Sequence, residues 1–179
     1  EADESTRYLV LEMGASGPGH IAYLTGIAPL DAAGVLMVGH AHMGGFGSIE
    51  GVAAAKAEIV AGLRPDGTAI LNADDARAAA MAELAPARVL TFSSQGRAAD
   101  LRAENVVLDA AARAAFDLHL PGLDEPRRVQ LSVAGAHNVA NALAAAGLAL
   151  AAGLAPELIA ERLGSVSIES PHRMDVSEL

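Results

Sequence analysis

The first half of the chain alternates short apolar runs with helical segments, and this alternation restricts the fold more than any other feature of the sequence. Apolar runs with the length of buried strands occupy positions 8–12, 33–38, 68–71 and 88–92. Helical segments lie between them, at about 21–27, after Ser48 and at about 76–84. Strands that alternate with helices through short connections form parallel sheets with right-handed crossovers. The alternation therefore predicts an α/β fold whose mostly parallel sheet is flanked by helices.

The second half of the chain has a different order of predicted elements. Three strand-like segments follow one another without intervening helices, at 101–109, 114–120 and 127–133. In the middle segment, Phe116 and Leu118 alternate with Asp117 and His119. This period of two residues is typical of an antiparallel strand with one face in contact with solvent. We therefore predict a small antiparallel sheet appended to the parallel one.

The 179 residues are expected to form one domain with several parts. A chain of this length is sufficient to bury a core of its own. Two helices are predicted after the antiparallel strands, at about 138–152 and 156–163. The predicted parts are a parallel α/β part (1–94), the antiparallel sheet (100–133), a helical part (134–170) and the start of a linker (171–179).

Charge and composition exclude several classes of function. The chain has 12 basic and 22 acidic residues, which disfavours nucleic acid or an anionic membrane as the main partner. An anionic ligand must then be bound locally, by a metal ion or by main-chain amides. The sequence contains no cysteine, no apolar run as long as a membrane span and no charged-then-apolar leader, so a cytoplasmic protein is expected.

The segment 38–63 carries two histidines into a glycine-rich loop, and Ser48 is a suitable N-cap for the helix that follows. On a helical wheel, Lys56 falls in the middle of an apolar stripe formed by Ile49, Val52, Ala53, Ile59, Val60 and Leu63. Two interpretations remain open. The lysine stem packs on apolar surface while its ammonium reaches solvent, or the amine is held in its neutral, nucleophilic form because burying the charge is costly.

Glu12 and His42 each follow an apolar run that is predicted to be a buried strand. Both would then lie at the carboxyl edge of the parallel sheet, where open α/β sheets bind ligands. A carboxylate and an imidazole could share a divalent cation there, with magnesium or manganese favoured over zinc. The alternative is that each is a loop residue hydrogen-bonded to the main chain. An HxH zinc pair of His40 and His42 lacks a third ligand at motif spacing.

Two asparagines, Asn138 and Asn141, lie three residues apart in the first turn of the predicted long helix, and therefore on one face. Carboxamides in this arrangement could bind the edge of a purine. The alternative is one helix cap and one unrelated asparagine. The glycine loop at 14–19 has the spacing GxxGxG, which does not match the dinucleotide fingerprint GxGxxG.

Five segments carry a more specific signal together than any of them carries alone. They are LEMGASGPGHIAYLTGIAP, AHMGGFGSIEGVAAAKAEI, ILNADD, VAGAHNVANALAA and SPHR. In this order and at these spacings, they resemble the Mur ligases, which are ATP-dependent amide-forming enzymes of peptidoglycan synthesis. The resemblance covers nearly the whole chain and implies the P-loop NTPase-like fold of the family's central, ATP-binding domain.

The resemblance implies roles for particular residues. Glu12 and His42 match magnesium ligands, and Lys56 matches a lysine that becomes an N-carboxylysine and helps to hold a magnesium ion. The residues that match ATP contacts are His137, Asn138, Asn141 and Arg173. The implied cofactors are ATP and Mg²⁺.

The implied substrates are UDP-N-acetylmuramoyl-tripeptide and D-alanyl-D-alanine, joined through an acyl phosphate. Two alternatives are a ligase that acts on folate or another Mur precursor, and a non-catalytic nucleotide-binding module of the same fold. The family's phosphate-binding loop, its first strand and its two flanking domains have no match in this chain. We therefore expect a fragment of the central domain that binds ATP weakly, does not turn over alone and self-associates through an exposed sheet edge.

Overall fold

A computed structural model describes residues 3–39 and 46–165 of the chain. In chain order, its elements are helix α1 (His20–Ile27), strand β1 (Leu30–Val35), helix α2 (Ile49–Ala61), strand β2 (Leu63–Asn72), helix α3 (Ala76–Ala80), a 3₁₀ helix (Met81–Leu84), strands β3 (Arg88–Ser93), β4 (Leu101–Leu108), β5 (Arg113–His119) and β6 (Arg127–Ala134), and helices α4 (Asn138–Ala151) and α5 (Pro156–Leu163). No helix in these two ranges is long and apolar enough to cross a membrane.

The six strands form one sheet in the order β1-β2-β3-β4-β5-β6. The neighbours from β1 to β4 are parallel, and those from β4 to β6 are antiparallel. β4 pairs with β3 at Phe92–Leu101 and Ser93–Arg102 and then continues past the end of β3. The predicted α/β class is confirmed, and the antiparallel strands extend the same sheet.

Each face of the sheet is covered by its own group of helices. Successive side chains of β2 point to opposite faces, so Ala69 and Leu71 belong to a core with α2 and α3, whereas Ile70 belongs to a core with α4 and α5. Gly147 allows α4 to lie close to the sheet, because a Cβ at this position would be 2.8 Å from Cγ2 of Ile70. The sheet thus lies between two hydrophobic cores and contributes side chains to both.

The predicted strand at 8–12 is wrong. These residues form no strand, and the side chains of Leu9 and Val10 are 62% and 89% exposed. The run is apolar enough for a buried strand, but a strand also needs a neighbour whose main-chain groups it can bond. β1 is the outermost strand of the described sheet, and the segment does not pair with it. Apolar composition therefore predicted the burial of a segment that lacks a partner here.

Other predicted elements have different bounds in the structure. The strand expected at 68–71 is β2, which begins five residues earlier and ends at Asn72. The strand expected at 33–38 is β1, which begins three residues earlier and ends at Val35. The helix expected at 76–84 is α3 followed by the 3₁₀ helix, in which each turn is tighter. The predicted linker at 171–179 lies outside the described residues.

Candidate functional site

Three helices begin on the same side of the sheet. α2 follows β1, α3 follows β2, and both strands end on this carboxyl side. α4 follows β6, which runs in the same direction as β1 to β4 because two antiparallel pairings separate it from β4. Helix starts present unpaired N–H groups and the positive end of the helix dipole. This side of the sheet is therefore suited to an anionic ligand.

Asp74 joins the ends of β2 and β3. Its Oδ1 accepts a hydrogen bond from Oγ of Ser93 at 2.7 Å, and its Oδ2 accepts one from the main-chain N–H of Ser94 at 2.8 Å. Ser93 is fully buried, so its hydroxyl needs an internal partner. Asp74 thereby fixes the spacing of two adjacent strand ends.

Asn72 and Asp75 bind the main chain that leaves β1. Nδ2 of Asn72 donates to the carbonyl oxygen of Leu36 at 2.7 Å. The N–H of Val38 donates to Oδ2 of Asp75, also at 2.7 Å. The other oxygen of Asp75 caps the start of α3. Side-chain hydrogen bonds therefore join the main chain that follows β1 to the end of β2, beyond Val35–Leu71, the last residue pair between these two strands.

Sequence reasoning identified Asn72 to Asp75 as the end of a strand and gave them no role. A run of polar residues directly after a buried strand was the available signal. The partners of Asn72 and Asp75 lie 36 and 37 residues away along the chain. Those pairs are set by the parallel register of β1 and β2, which local patterns do not reveal.

Asp75 is expected to make stability depend on pH in the acid range. Burial raises the pKa of its carboxyl, but hydrogen bonds from the N–H groups of Val38, Ala78 and Arg77 outweigh burial and hold the pKa below its ordinary 3.8. A folded-state pKa below the unfolded one stabilises the fold fully above about pH 4, and this contribution is lost as pH falls through the folded pKa. Urea unfolding at several pH values should therefore show Asp75→Asn destabilised at pH 6 and the gap to wild type narrowing below about pH 4. A gap that stays constant with pH would contradict this.

Lys56 lies on the face of α2 that packs towards the sheet. Val52, one turn before it, and Val60, one turn after it, are 5% and 0% exposed, whereas Lys56 is half-buried. Among residues 3–39 and 46–165, the ammonium makes no hydrogen bond or ion pair. The predicted position within an apolar stripe agrees with this burial, and the role of the amine stays a prediction.

The structure describes Glu12 but not His42. Glu12 is exposed in the irregular segment before α1, so its predicted place at the end of a buried strand is wrong for the same reason as the strand itself. His42 lies outside the described residues. Within the described part of the chain, no group of three or more histidine, aspartate or glutamate side chains could hold a metal ion. The assignment of Glu12, His42 and Lys56 to one cation site stays a prediction.

A carboxylate from α2 caps the start of α1. The N-cap residue Gly19 has no side chain to cap the helix. Instead, Oε1 of Glu58 accepts from the N–H of Gly19 at 2.6 Å, and its Oε2 accepts from the N–H of Ala22 at 3.0 Å. The anion-binding position at this helix start is therefore filled by the protein itself, in agreement with the mismatch of the 14–19 loop to a dinucleotide fingerprint. The same contact ties the segment after Glu12 to the helix that carries Lys56.

The two asparagines at the start of α4 lie on one face of the helix, as predicted, and they also contact each other. Nδ2 of Asn141 donates to Oδ1 of Asn138 at 2.9 Å, and Nδ2 of Asn138 donates to the carbonyl oxygen of Ala134 at 2.8 Å. Asn138 is therefore fixed, while Asn141 is exposed and keeps a free carbonyl oxygen among the described residues. His137 is exposed beside them, and its ring lies over Gly135, where a Cβ would be 2.6 Å from Cε1.

This group offers an exposed imidazole face and a carboxamide edge side by side. A planar base could stack on such a ring and bond to such an edge. Arg173, the fourth residue predicted to contact ATP, lies outside the described residues.

Comparison with known proteins gives consistent matches. Residues 1–149 match the family model described as Mur ligase middle domain. The UDP-N-acetylmuramoyl-tripeptide–D-alanyl-D-alanine ligase of Mycobacterium tuberculosis is 44% identical over 176 residues, which are 98% of this chain and 34% of that protein. The crystal structure of MurF from Acinetobacter baumannii superposes with a TM-score of 0.78 at 36% identity, over 86% of this chain and 33% of that one.

A second solved structure similar to this chain contains a nucleotide. The MurF ligase from Thermotoga maritima in complex with ADP has a TM-score of 0.70 at 26% identity, over 87% of this chain and 35% of that one. The chain thus spans about a third of the length of the proteins it matches.

Proposed function

Because the chain belongs to the Mur ligase family, whose middle domain it matches over residues 1–149, we propose that it acts in the ATP-dependent addition of D-alanyl-D-alanine to UDP-N-acetylmuramoyl-tripeptide. The observation that carries this proposal is the 44% identity, over 98% of the chain, to a ligase named for that reaction. The proposed role is therefore in the synthesis of peptidoglycan precursors.

The proposed reaction has two steps. The terminal carboxylate of the tripeptide attacks the γ-phosphorus of ATP, so that an acyl phosphate forms and ADP leaves. The amine of D-alanyl-D-alanine then attacks the acyl carbon, and an amide forms as phosphate and a proton leave. Both steps bring anions together in a chain of formal net charge −10. The starts of α2 and α4 on the carboxyl side of the sheet supply local positive potential for them, whereas the carboxylate of Asp75 already occupies the start of α3.

We place the adenine end of ATP at the start of α4. Asn141→Ala should weaken ATP binding about 5- to 20-fold, since one hydrogen bond contributes about 1–2 kcal/mol. Gln130→Ala is the control, because Gln130 is an exposed residue of β6 whose carboxamide donates to the carbonyl oxygens of Ala114 and Leu131 and does not contact Asn138 or Asn141. Titration calorimetry of both variants checks the prediction. Equal affinities for ATP would contradict this placement.

The proposed magnesium ligands are Glu12, His42 and Lys56. Glu12 fits because its carboxylate is exposed and makes no hydrogen bond or ion pair with the other described residues, and carboxylate oxygens suit Mg²⁺. Lys56 fits only after its neutral amine adds to carbon dioxide and loses a proton, because the resulting carbamate offers oxygens to a cation. When bound, Mg²⁺ offsets the repulsion between the carboxylate and the triphosphate.

A chimaeric enzyme tests the proposed function. In it, this chain replaces the matching segment of the M. tuberculosis ligase, and phosphate release is measured. The proposal expects release that requires ATP, UDP-N-acetylmuramoyl-tripeptide and D-alanyl-D-alanine together. Release with a folate or with another UDP-linked precursor instead would support a related ligase. A chimaera that binds ATP without releasing phosphate would support the non-catalytic nucleotide-binding module.

The isolated chain is proposed to bind ATP weakly and not to ligate. It spans about a third of the length of the relatives it matches, and we propose that residues outside the matched part complete the substrate sites. Substrate-dependent phosphate release by the isolated chain would contradict this proposal.

Self-association of the isolated chain is also proposed. The segment 8–11 exposes four apolar side chains, which are Tyr8, Leu9, Val10 and Leu11. β1 is the outer strand of the described sheet, and an open edge beside exposed apolar residues favours pairing with a second copy. Val10→Lys should therefore shift the chain towards monomer in light scattering, whereas Val107→Lys, on the exposed part of β4, should not. A wild-type chain that stays monomeric at high concentration would contradict the proposal.

A further inference from the structure

We infer that Asn138 is a positioning residue that makes the start of α4 prefer a 6-aminopurine, such as adenine, over a 6-oxopurine. This inference rests on the proposed function, which places the adenine end of ATP there. Both polar atoms of the Asn138 carboxamide already have protein partners, which are the carbonyl oxygen of Ala134 and the side chain of Asn141. Its effect on the base is therefore exerted through Asn141, which is the more exposed of the two asparagines.

Two hydrogen bonds, from Asn141 to Asn138 and from Asn138 to Ala134, form an asparagine relay whose direction is fixed. The carbonyl oxygen of Ala134 can only accept, so the atom of Asn138 that lies 2.8 Å from it must be the donor Nδ2. The other polar atom of Asn138 is then Oδ1, to which Nδ2 of Asn141 donates at 2.9 Å. Oδ1 of Asn141 is left as an acceptor without a partner among the described residues.

The asparagine relay begins at a carbonyl group that the sheet holds in place. Ala134 is the last residue of β6 and is paired with Arg113 of β5. The next residue, Gly135, donates its N–H to the carbonyl oxygen of Ala112 at 2.8 Å, which ties the segment before α4 to the turn that precedes β5. The orientation of the Asn141 carboxamide is therefore set by the protein before any base binds.

An outward oxygen on Asn141 distinguishes purines by the group at position 6. The 6-amino group of adenine can donate to this oxygen, and an asparagine carboxamide is a usual partner for that amino group. A 6-oxopurine places an oxygen there, so two acceptors would face each other. Reversing the Asn141 carboxamide would only move the conflict, because its oxygen would then face Oδ1 of Asn138. ATP should therefore bind about 10-fold more tightly than ITP, its 6-oxo counterpart.

Two substitutions of Asn138 separate orientation from general stability. Asn138→Leu has a similar size but cannot bond to Ala134 or orient Asn141, so the Asn141 carboxamide is free to reverse. Asn138→Asp also loses the bond to Ala134, yet its carboxylate still accepts from Nδ2 of Asn141. The leucine variant should bind ATP more weakly and ITP no more weakly than wild type, with a ratio of affinities of about 2-fold or less. The aspartate variant should keep the wild-type ratio.

Gln130→Ala is the matched control for these variants. The carboxamide of Gln130 also donates to main-chain carbonyl oxygens, those of Ala114 and Leu131, but it is not part of the asparagine relay. Its removal should leave the ratio of ATP to ITP affinity unchanged. A loss of stability alone would lower both affinities together, so the ratio is the quantity that reports on orientation.

Titration of the ¹⁵N-labelled chain with ATP and with ITP, followed by nuclear magnetic resonance, measures both affinities even when binding is weak. Equal affinities in the wild type would overturn this inference and leave the proposed ATP site intact. The same conclusion would follow from a leucine variant that keeps the wild-type ratio, or from an aspartate variant that loses it. A wild-type chain whose signals at the start of α4 respond to neither nucleotide would overturn the proposed placement of the base, and this inference with it.

Discussion

Replacing Phe116 with alanine is expected to lower the free energy of unfolding by about 3–5 kcal/mol. The ring is 0% exposed and belongs to the same core as Leu143 of α4. Deleting it removes apolar contacts and leaves a cavity that the strands around β5, fixed by their ladders, can close only in part. Urea unfolding followed by circular dichroism measures the loss directly.

Tyr23→Ala is the control for this experiment, because it deletes a similar ring that is 71% exposed on α1. The control should change the free energy of unfolding by no more than about 0.5 kcal/mol. The dependence of unfolding on urea concentration should be similar in both variants and wild type, which shows that only stability has changed. A loss below about 1 kcal/mol for Phe116→Ala would mean that the β5 side of the sheet is not a packed core.

The burial of Phe116 was predictable because the information is local. Phe116 and Leu118 alternate with Asp117 and His119 along one strand, and this alternation alone indicates which face is buried. The structure confirms the pattern, with Phe116 and Leu118 both 0% exposed. The same holds for Asn138 and Asn141, since a spacing of three residues on a helix places two side chains in contact regardless of the rest of the fold.

Features that depend on distant parts of the chain could not be predicted in this way. The run at 8–12 is as apolar as a buried strand, yet pairing depends on a neighbour that the run itself does not specify. The contacts of Asn72 with Leu36 and of Asp75 with Val38 arise from the register between β1 and β2. The cap of α1 by Glu58 joins residues 39 positions apart. Local patterns therefore identified elements and faces, and tertiary contacts decided which polar groups meet.

Lys56→Met is expected to have opposite effects on stability and function. Lys56 is half-buried on the face of α2 that carries the buried side chains of Val52 and Val60, and it has no polar partner among the described residues. A methionine has similar length and helix propensity without a charge to desolvate. The free energy of unfolding should therefore rise by up to about 1 kcal/mol. Ligation by the chimaeric enzyme should fall by about 100-fold or more, because the proposed carbamate and the cation it helps to hold stabilise the transition state by several kcal/mol.

The sequence makes the chemical part of this prediction testable without any activity. Lys56 is the only lysine of the chain, so labelling lysine with ¹³C and ¹⁵N places the label on a single side chain. In ¹³C-bicarbonate with Mg²⁺ and ATP, the chimaera should show a carbamate carbon coupled to a labelled Nζ. If the M. tuberculosis segments contribute lysines, the comparison with Lys56→Met identifies the signal that belongs to this side chain.

Lys56→Arg separates charge from carbamate chemistry. Arginine keeps a positive charge at this position but stays protonated and cannot capture carbon dioxide. The chimaera with this substitution should be as inactive as that with methionine, while its stability should fall below that of the methionine variant because a charge is again placed on the apolar face. An arginine variant that retains ligation would show that only the charge of Lys56 matters. A methionine variant that retains ligation would exclude any role of the amine in the reaction.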